Sequence, residues 1–533
     1  TLHQNLSLPA LALLLGACSQ PEAQINIDAA QRGAEVPSSL YGIFFEEINH
    51  AGDGGLYAEL IQNRGFEDSS VPEGYRVEGD KIYPPAVCNH LTGSKPHPDL
   101  AFRWTTDEIP AWSLEQLAGE GATMQLTTEY PLNSATPTAL KVTLPVQGRV
   151  ALSNTGFWGI NIEKDKSYFL RFNTSNGNLF DGKATIKLVG ADGTELCNRP
   201  LALDPDKSWC QYSGELIAAG TDHNARFVIE LEGKGTLLLD YVSLFPAETF
   251  RNRENGLRKD IAETLEAMRP AFVRWPGGCV VEGITLSNRI KWKETIGDPA
   301  TRPGVYDTWG YRTTMGFGYH EFLQYCEDIG AQAMFVCNAG MSCDGRNGDY
   351  YDDKEVEVLI QDALDAIEYA TGDAETTKWG AERAKNGHPA PFTLDYIEVG
   401  NENHSAMYAK YYNRFYKRIR EAYPDITIIT CLPMSDQLSW IDGYDMNDPH
   451  FYNFPSWFYA NTDYFDKFPR EKGHKTYVGE YACNMGVGSG NMEGALSEGA
   501  FMMGMERNSD LVTMTSYAPL MENTKCRMGV NLI

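Results

Sequence analysis

The sequence predicts an α/β protein in which a (β/α)8 barrel of the TIM type is interrupted after its first β/α unit by an all-β jelly-roll sandwich. Two observations support this. Short strand-like runs alternate with amphipathic helical stretches beyond residue 250, and a similar strand occurs before residue 46. Between them, residues 71–247 contain alternating runs separated by turn clusters, which is typical of a sandwich.

The first β/α unit is expected within residues 25–70. Residues 39–45 have the apolar composition of a buried strand, and residues 56–64 have helical spacing of apolar positions. A glycine-rich loop joins the two elements. It lacks the Lys-Ser/Thr pair of a phosphate-binding loop, so we do not expect it to bind phosphate.

The sandwich is expected over residues 71–247, with alternating runs at 139–144, 168–172, 184–189 and 226–231. This segment resembles a carbohydrate-binding jelly roll. Trp112, Phe157 and Trp158 are candidates for stacking on sugar rings, although aromatic residues also fill sandwich cores.

The rest of the barrel is expected over residues 248–533. Helical patterns occur at 256–268, 319–329, 354–370 and 406–422. The strands that follow or alternate with them are 271–275, 333–337, 394–400, 426–430, 475–479 and 511–517, with a weaker strand at 449–452. With residues 39–45 these make eight strands.

The net charge limits the classes of partner. The chain carries 45 basic and 72 acidic side chains, a formal charge of −27. Nucleic-acid binding needs a basic face, so we expect no nucleic-acid partner. The abundance of Trp, Tyr and Phe is compatible with sugar binding and equally with large β-rich domains.

The N-terminal segment resembles an export signal. Residues 8–17 are apolar but too short to span a bilayer. The sequence Leu15-Gly16-Ala17-Cys18 resembles the lipobox of a bacterial lipoprotein, which would place a signal peptide over residues 1–20 and a lipid on Cys18. An ordinary cleaved export signal is the alternative. We expect an exported protein, lipid-anchored in the periplasm or at the cell surface.

Two glutamates occupy matching contexts. Glu402 ends the run 395–402, and Glu480 ends the run 475–480; in each, β-forming residues lead into a glycine and then a carboxylate. The carboxyl ends of barrel strands carry the chemistry of such folds. Two carboxylates from different strands indicate the acid and the nucleophile of a glycosidase.

The motifs at the strand ends resemble glycoside hydrolase family 51, the α-L-arabinofuranosidases. The resemblance covers about 37–67 and 250–525. It rests on residues 41–60, on Arg-Trp-Pro-Gly-Gly-Cys at 274–279, on Gly-Asn-Glu-Asn at 400–403 and on Gly-Glu-Tyr-Ala at 479–482.

This resemblance implies roles for single residues. It implies that Glu402 is the acid/base and Glu480 the nucleophile. Apolar burial and a nearby negative charge are expected to raise the pKa of Glu402, and hydrogen-bond donors to lower that of Glu480. The residues implied to bind substrate are Glu46, Arg274, Cys279, Asn401, His450 and Tyr452.

The implied activity is retaining hydrolysis of terminal non-reducing α-L-arabinofuranosyl residues from arabinoxylan, arabinan or arabino-oligosaccharides. The 11 cysteines show no CxxC pattern, so no zinc site is expected, and no other cofactor. Two alternative functions remain. One is another retaining glycosidase of the same barrel clan, such as an endoglucanase or xylosidase. The other is a non-catalytic surface lipoprotein that binds glycans. Relatives carry a C-terminal β-sandwich that is expected to be missing here, and some form homo-oligomers.

Overall fold

The computed structural model describes residues 30–85, 100–175, 179–204, 208–470 and 473–526. Its two largest sheets are a parallel sheet of eight strands and an antiparallel sheet of nine. Within the described ranges, no helix combines the length and apolar character needed to cross a membrane. The expected signal peptide with Cys18 lies outside these ranges.

The first barrel strand is β1 (Ile43–Phe44), which is fully buried. The helix expected at 56–64 is wrong, because this segment forms turns and irregular backbone. Its backbone groups bond to a distant part of the chain instead of to their own helical neighbours. Leu60 N–H donates to the carbonyl of Leu244, and Val242 N–H donates to that of Arg64.

Twelve strands follow β1 in chain order before the next strand of the eight-stranded parallel sheet. The alternating runs recognised in the sequence all lie inside strands of the nine-stranded sheet, whose apolar side chains form one core. A separate three-stranded sheet contains β2 (Arg76–Glu78), β3 (Lys81–Tyr83) and β4 (Phe102–Arg103). The nine-stranded sheet contains β5 (Trp112–Ala118), β6 (Thr123–Thr127), β7 (Ala139–Asn154), β8 (Ile160–Ile162), β9 (Ser167–Ser175), β10 (Asp181–Val189), β11 (Glu195–Leu201), β12 (Trp209–Ile217) and β13 (Asp222–Pro246).

Strands and helices then alternate through the rest of the chain. The strands are β14 (Phe272–Trp275), β15 (Val305–Tyr306), β16 (Arg312–Thr313), β17 (Gln332–Cys337), β18 (Tyr396–Val399), β19 (Thr427–Thr430), β20 (Met446–Asn447), β21 (His450–Asn453), β22 (Lys475–Val478), β23 (Glu480–Cys483) and β24 (Val512–Thr515). The helices are α1 (Lys259–Ala267), α2 (Tyr319–Ile329), α3 (Asp353–Thr371), α4 (Lys378–Lys385), α5 (Ala406–Ala422), α6 (Pro455–Ala460) and α7 (Met492–Arg507).

Local chemistry explains where the longer helices begin. The Asp352 carboxylate accepts from the backbone N–H groups of Lys354 and Glu355, which caps α3, and Glu355 accepts from Asp352 N–H in return. Ser405 caps α5 by accepting from Tyr408 N–H. The start of α5, just after Glu402, is therefore fixed by a side chain next to the site.

The parallel sheet has the order β1-β14-β17-β18-β19-β20-β22-β24. A parallel bridge between Tyr41 and Thr515 brings its two edges together, supported by a 3.0 Å hydrogen bond from Gly42 N–H to Thr515 O. The placement of the sixth strand at 449–452 is wrong: the sixth barrel strand is β20, and β21 pairs outside the barrel with β23.

The barrel interior is layered. Phe272, Met334 and Tyr477 belong to an apolar cluster inside the sheet. Arg274 lies two residues beyond Phe272 on the same strand and therefore on the same face, one layer nearer the carboxyl ends. A layer of charged side chains thus lies between the apolar cluster and the carboxyl ends of the strands, where Glu402 and Glu480 lie.

Candidate functional site

Glu480 lies at the start of β23 and is buried. Each of its carboxylate oxygens accepts one short hydrogen bond: Oε1 from Arg274 Nη1 at 2.9 Å and Oε2 from the Tyr452 hydroxyl at 2.7 Å. Tyr452 reaches Glu480 because β21 and β23 run parallel, with His450 opposite Glu480 in register. The carboxylate is therefore held in one orientation by two donors.

Arg274 is completely buried in β14 and has several acidic or polar partners. Its guanidinium donates to both oxygens of Glu398 at 2.7 and 3.2 Å, and to Asn401 Oδ1 at 3.0 Å. Such a forked pair fixes the plane of the guanidinium. Arg274 thus links the nucleophile candidate to the end of β18, and its pKa is raised by these carboxylates against the opposing effect of burial.

Glu402 follows β18 and has a backbone φ of 49°, in the left-handed region. This conformation is uncommon for a residue with a side chain and occurs at functional sites. Its Oε1 lies 2.9 Å from His450 Nδ1. The side chain is about 39% exposed, so it opens toward the mouth of the barrel.

His450 lies among three carboxylates. Its Nε2 is 2.9 Å from Asp448 Oδ2, and its Nδ1 is 2.9 Å from Glu402 Oε1 and 3.6 Å from Glu480 Oε2. Burial opposes a charge here, but the negative groups raise the pKa of His450 well above its ordinary value. The surrounding carboxylates therefore favour the protonated imidazole.

The expected increase in the pKa of Glu402 is wrong. Burial acts to raise this pKa, but the hydrogen bond and positive charge of His450 outweigh it, and the net shift is downward. The expectation took the charge of the neighbouring carboxylate into account but not the positive charge of the imidazole that lies near both glutamates. The proton of the pair resides mainly on His450.

The two glutamates are close to each other. One carboxylate oxygen from each, together with a His450 nitrogen, all lie within 4.8 Å of one another. A separation of about 5–5.5 Å between carboxyl groups is typical of retaining glycosidases, and about 6.5–9.5 Å of inverting ones.

The side chain of Glu46 lies beside that of Glu480. Its Oε1 accepts from Val280 N–H and from the indole N–H of Trp309, both at 3.2 Å. Burial, and then the charge of Glu480, raise the pKa of Glu46 to about 8. Gly278 makes this approach of two carboxyls possible, because a Cβ there would lie 3.1 Å from Glu480 Oε1 and 3.3 Å from Glu46 Oε2.

Asn401 and Cys279 complete the predicted set. Asn401 is fully buried, and with Oδ1 bonded to Arg274 its Nδ2 makes no hydrogen bond among the described residues. The sulfur of Cys279 lies 4.0 Å from Glu402 Oε2. All eight residues predicted from the sequence therefore lie in one connected cluster at the carboxyl ends of the strands.

Four further residues of this cluster were missed. Asp448 orients His450, Glu398 holds Arg274, Trp309 donates to Glu46, and Cys343 contacts Cys279. Glu398 had a visible signal, since a charged residue inside a buried strand run needs a partner. The other three lie outside helices and strands, where periodicity gives no indication.

Two groups of described residues offer three metal-binding side chains each, with the ligand atoms within 4.8 Å of one another: Glu402, His450 and Glu480 in one, and Cys279, Glu282 and Cys343 in the other. The first group is already linked by internal hydrogen bonds. In the second, the interaction between the two neighbouring thiols raises the pKa of Cys279 and lowers that of Cys343.

Trp112 and Trp158, two of the residues predicted to stack on sugar rings, have different environments. Trp112 is buried, stacks obliquely on Phe66 and donates its indole N–H to Asn63 O, so it belongs to the core. Trp158 is 44% exposed, and its ring meets His50 edge to face at 5.1 Å. A sandwich loop thus reaches the glycine-rich loop that follows β1.

Comparison with protein-family models gives two matches. Residues 264–470 match the α-L-arabinofuranosidase 1 domain, and residues 479–531 match the α-L-arabinofuranosidase C-terminal domain. These two ranges include the segments that carry Glu402 and Glu480.

Curated relatives match over most of the chain. α-L-Arabinofuranosidase 2 of Arabidopsis thaliana is 36% identical, covering 93% of this chain and 68% of the relative. The extracellular exo-α-L-arabinofuranosidase of Streptomyces chartreusis is 35% identical over 96% of this chain and 60% of its own length.

A solved structure has the same architecture. The arabinose-bound MgGH51 α-L-arabinofuranosidase superimposes with a TM-score of 0.79 at 32% identity, covering 93% of this chain and 77% of that one. The eight-stranded barrel with additional sheets is therefore shared with an enzyme that has been solved with arabinose.

Proposed function

The chain belongs to the α-L-arabinofuranosidases of glycoside hydrolase family 51, and on this basis we propose that it removes terminal non-reducing α-L-arabinofuranosyl residues with retention of configuration. The observation that carries the proposal is the distance between the carboxylate oxygens of Glu402 and Glu480, which lie within 4.8 Å of each other. This short spacing of one oxygen from each carboxylate agrees better with the carboxyl separation of about 5–5.5 Å in retaining enzymes than with that of about 6.5–9.5 Å in inverting ones.

In the proposed first step, Glu480 attacks the anomeric carbon of the sugar. A carboxylate oxygen forms a bond to that carbon while the bond to the glycosidic oxygen breaks. The hydrogen bonds from Arg274 and Tyr452 hold the carboxylate in place for the attack. The guanidinium of Arg274 also forms an ion pair with this carboxylate.

Glu402 supplies the proton to the leaving oxygen. The proton comes from the pair formed by His450 Nδ1 and Glu402 Oε1, in which the imidazolium is the reservoir. In the second step Glu402 removes a proton from water, the water oxygen bonds to the anomeric carbon, and the ester to Glu480 breaks. The sugar leaves with its original configuration.

The pocket walls supply the proposed contacts to the sugar. The side chain of Asn401 is buried and its orientation is fixed by the hydrogen bond from Arg274 to Oδ1, which places an amide group beside the proposed sugar site. Glu46 has a raised pKa and can donate or accept from the opposite side. Cys279 lies beside Glu402, where the leaving group is expected.

The proposed substrates are arabinoxylan, arabinan and their oligosaccharides. The Streptomyces relative is named extracellular, and with the lipobox-like residues 15–18 this supports export and an anchor on Cys18. We propose that residues 248–533, with the strand within 25–70, form the catalytic barrel, and that residues 71–247 form a carbohydrate-binding-like domain. Strands β2–β13 all fall within the latter range.

The test is hydrolysis of an aryl α-L-arabinofuranoside and of a natural arabino-oligosaccharide. Glu480→Ala is expected to lose nearly all activity on both, because no covalent intermediate can form. Glu402→Ala is expected to retain much more activity on the aryl glycoside, whose leaving group needs little protonation.

Proton NMR of the first-formed product gives the stereochemical outcome, and α-arabinofuranose is expected. An initial β-product, or equal activity in both variants and the unsubstituted enzyme, would contradict the proposal.

A further inference from the structure

Beside the sugar pocket, the fold brings together three side chains that can ligate metals, two from one short segment and one from a distant loop. Cys279 opens a short 3-10 helix, Glu282 follows it directly, and Cys343 comes from the loop after β17. Backbone hydrogen bonds tie the segments together, since Cys343 N–H donates to Gly283 O at 3.1 Å. One ligand atom from each side chain lies within 4.8 Å of the other two.

Glu282 is an unusual member of this group because it is a carboxyl with only 2% of its surface exposed. Asn403 Nδ2 donates to its Oε1 at 2.6 Å. No Lys, Arg or His among the described residues lies within ion-pair distance of it. A buried carboxylate without a counter-charge is unfavourable, and a bound cation would supply that charge.

The chemical types of these three side chains favour some metal ions over others. Two cysteine thiolates and a carboxylate favour a thiophilic divalent cation such as Zn²⁺ over Mg²⁺ or Ca²⁺, which prefer oxygen ligands. Zinc binds tetrahedrally, with Zn–S bonds of about 2.3 Å, and three protein ligands leave a fourth position for water. Such bonds place two sulfurs about 3.8 Å apart, and the ligand atoms here already lie within 4.8 Å of one another.

We propose that Cys279, Glu282 and Cys343 form a binding site for Zn²⁺ or a similar thiophilic cation at the edge of the sugar pocket, and that its occupation inhibits the enzyme. On binding, the two thiols lose their protons to solvent, and both sulfurs and a Glu282 oxygen bond to the ion. The ion is an inhibitor and takes no part in catalysis.

The inhibitory part rests on the proposed function, because it requires that the sugar bind beside Cys279. The Cys279 sulfur lies 4.0 Å from Glu402 Oε2. An ion bonded to that sulfur would place positive charge next to the acid/base and its water ligand in the space for the leaving group. Zinc and substrate would then exclude each other.

The direct test is titration of the reduced, chelator-treated full-length enzyme with Zn²⁺ by calorimetry, and with Cd²⁺ by the ultraviolet absorption of Cd–thiolate bonds. We expect one high-affinity equivalent and a thiolate absorption band. Cys343→Ser is expected to weaken binding at least tenfold and to remove most of the band. Glu282→Gln, of the same size, is expected to weaken binding at least tenfold. Cys197→Ser, in the nine-stranded sheet, is the matched control and is expected to bind like the unsubstituted enzyme.

A second measurement follows hydrolysis of an aryl arabinofuranoside. Zn²⁺ is expected to raise KM of the unsubstituted enzyme, with recovery on addition of EDTA. Cys343→Ser is expected to lose this sensitivity, so that its KM is the same with and without Zn²⁺. Failure of the proposed function would appear as inactivity without zinc and would leave the titrations unaffected.

Three results would contradict the proposed zinc site. They are equal zinc affinity in the unsubstituted enzyme and Cys343→Ser, cadmium binding without a thiolate band, and a Cys279–Cys343 disulfide that persists in untreated enzyme and blocks zinc uptake. Tight binding that leaves KM unchanged would overturn the inhibitory role.

Discussion

At the scale of single residues, His450 decides where the proton of the proposed acid/base pair resides. Three carboxylates surround its imidazole, and the resulting positive charge lowers the pKa of Glu402. Proton donation therefore depends on the pair and not on Glu402 alone. The pair loses its proton only when the pH rises through the raised pKa of His450, well above the ordinary value of the side chain.

This gives a pH prediction for His450→Gln. Without the imidazolium, Glu402 must hold the proton itself, and it releases that proton at a lower pH than His450 does. We expect the alkaline limb of the pH profile of kcat/KM to move to lower pH by one unit or more. The measurement is kcat/KM for an aryl arabinofuranoside across the pH range.

Tyr452→Phe is the control for this experiment. It removes a donor to Glu480 but leaves the pair of His450 and Glu402 intact. Its activity is expected to fall while the alkaline limb stays in place. An unmoved limb in His450→Gln would show that the imidazolium is not the reservoir.

Gly278 carries a second prediction at this scale. A methyl group there would press against Glu480 Oε1, which Arg274 prevents from moving aside. We expect Gly278→Ala to lower kcat/KM by about 10- to 100-fold, because small displacements of reacting groups are costly. Gly499→Ala in α7, where a Cβ would meet nothing within 4 Å, is the control and should keep full activity.

The residue-level site was largely predictable because its members follow strands. Glu402 and Glu480 each come after a β-forming run and a glycine, so strand counting brings them together. The pKa of Glu402 was not predictable, because it depends on a contact between the ends of β18 and β21. Such a contact between residues 48 positions apart leaves no local pattern.

At the scale of elements, the capping of α3 can be measured. Asp352 caps this helix on an exposed surface. Asp352→Ala is expected to lower the free energy of unfolding by about 1 kcal/mol, and Asp352→Asn, which can cap equally well, to leave it nearly unchanged. Urea denaturation of both variants provides the measurement, and equal losses would contradict the capping role.

Strands and helices were predictable where their run of buried apolar residues was long enough. The runs that became β17 and β19, and the amphipathic patterns of α2, α3 and α5, were recognised close to their actual bounds. The sixth barrel strand was misplaced because β20 has only two residues. The helix expected at 56–64 failed because tertiary hydrogen bonds to β13 outweighed local spacing.

At the scale of the whole molecule, the segment after β1 contains a buried ion pair whose glutamate also bonds to β13 of the nine-stranded sheet. Glu59 bonds to Arg64 at 3.1 Å and accepts from Ser243 Oγ and Leu244 N–H at 2.6 and 2.8 Å. Glu59→Ala would leave the Arg64 charge buried without its partner. We expect a loss of about 3–5 kcal/mol in the free energy of unfolding.

The control is Lys166→Ala, which breaks an exposed pair with Glu248. No measurable loss is expected there, because water replaces the partner. Thermal and denaturant unfolding of the two variants distinguish the cases. Equal stability of both would show that the Glu59 contact does not join the two parts.

The closure of the barrel also sets the order in which this protein can be completed during synthesis. Ser39 Oγ donates to Thr513 O, a partner 474 positions later, so the first strand leaves the ribosome long before the eighth. At 5–20 residues per second the delay is roughly 25 to 95 s. The strands of the nine-stranded sheet have all emerged by residue 246 and can pair during that time. The active site is therefore the last part of the described chain to assemble, and a chaperone that shields β1 would have its greatest effect in that interval.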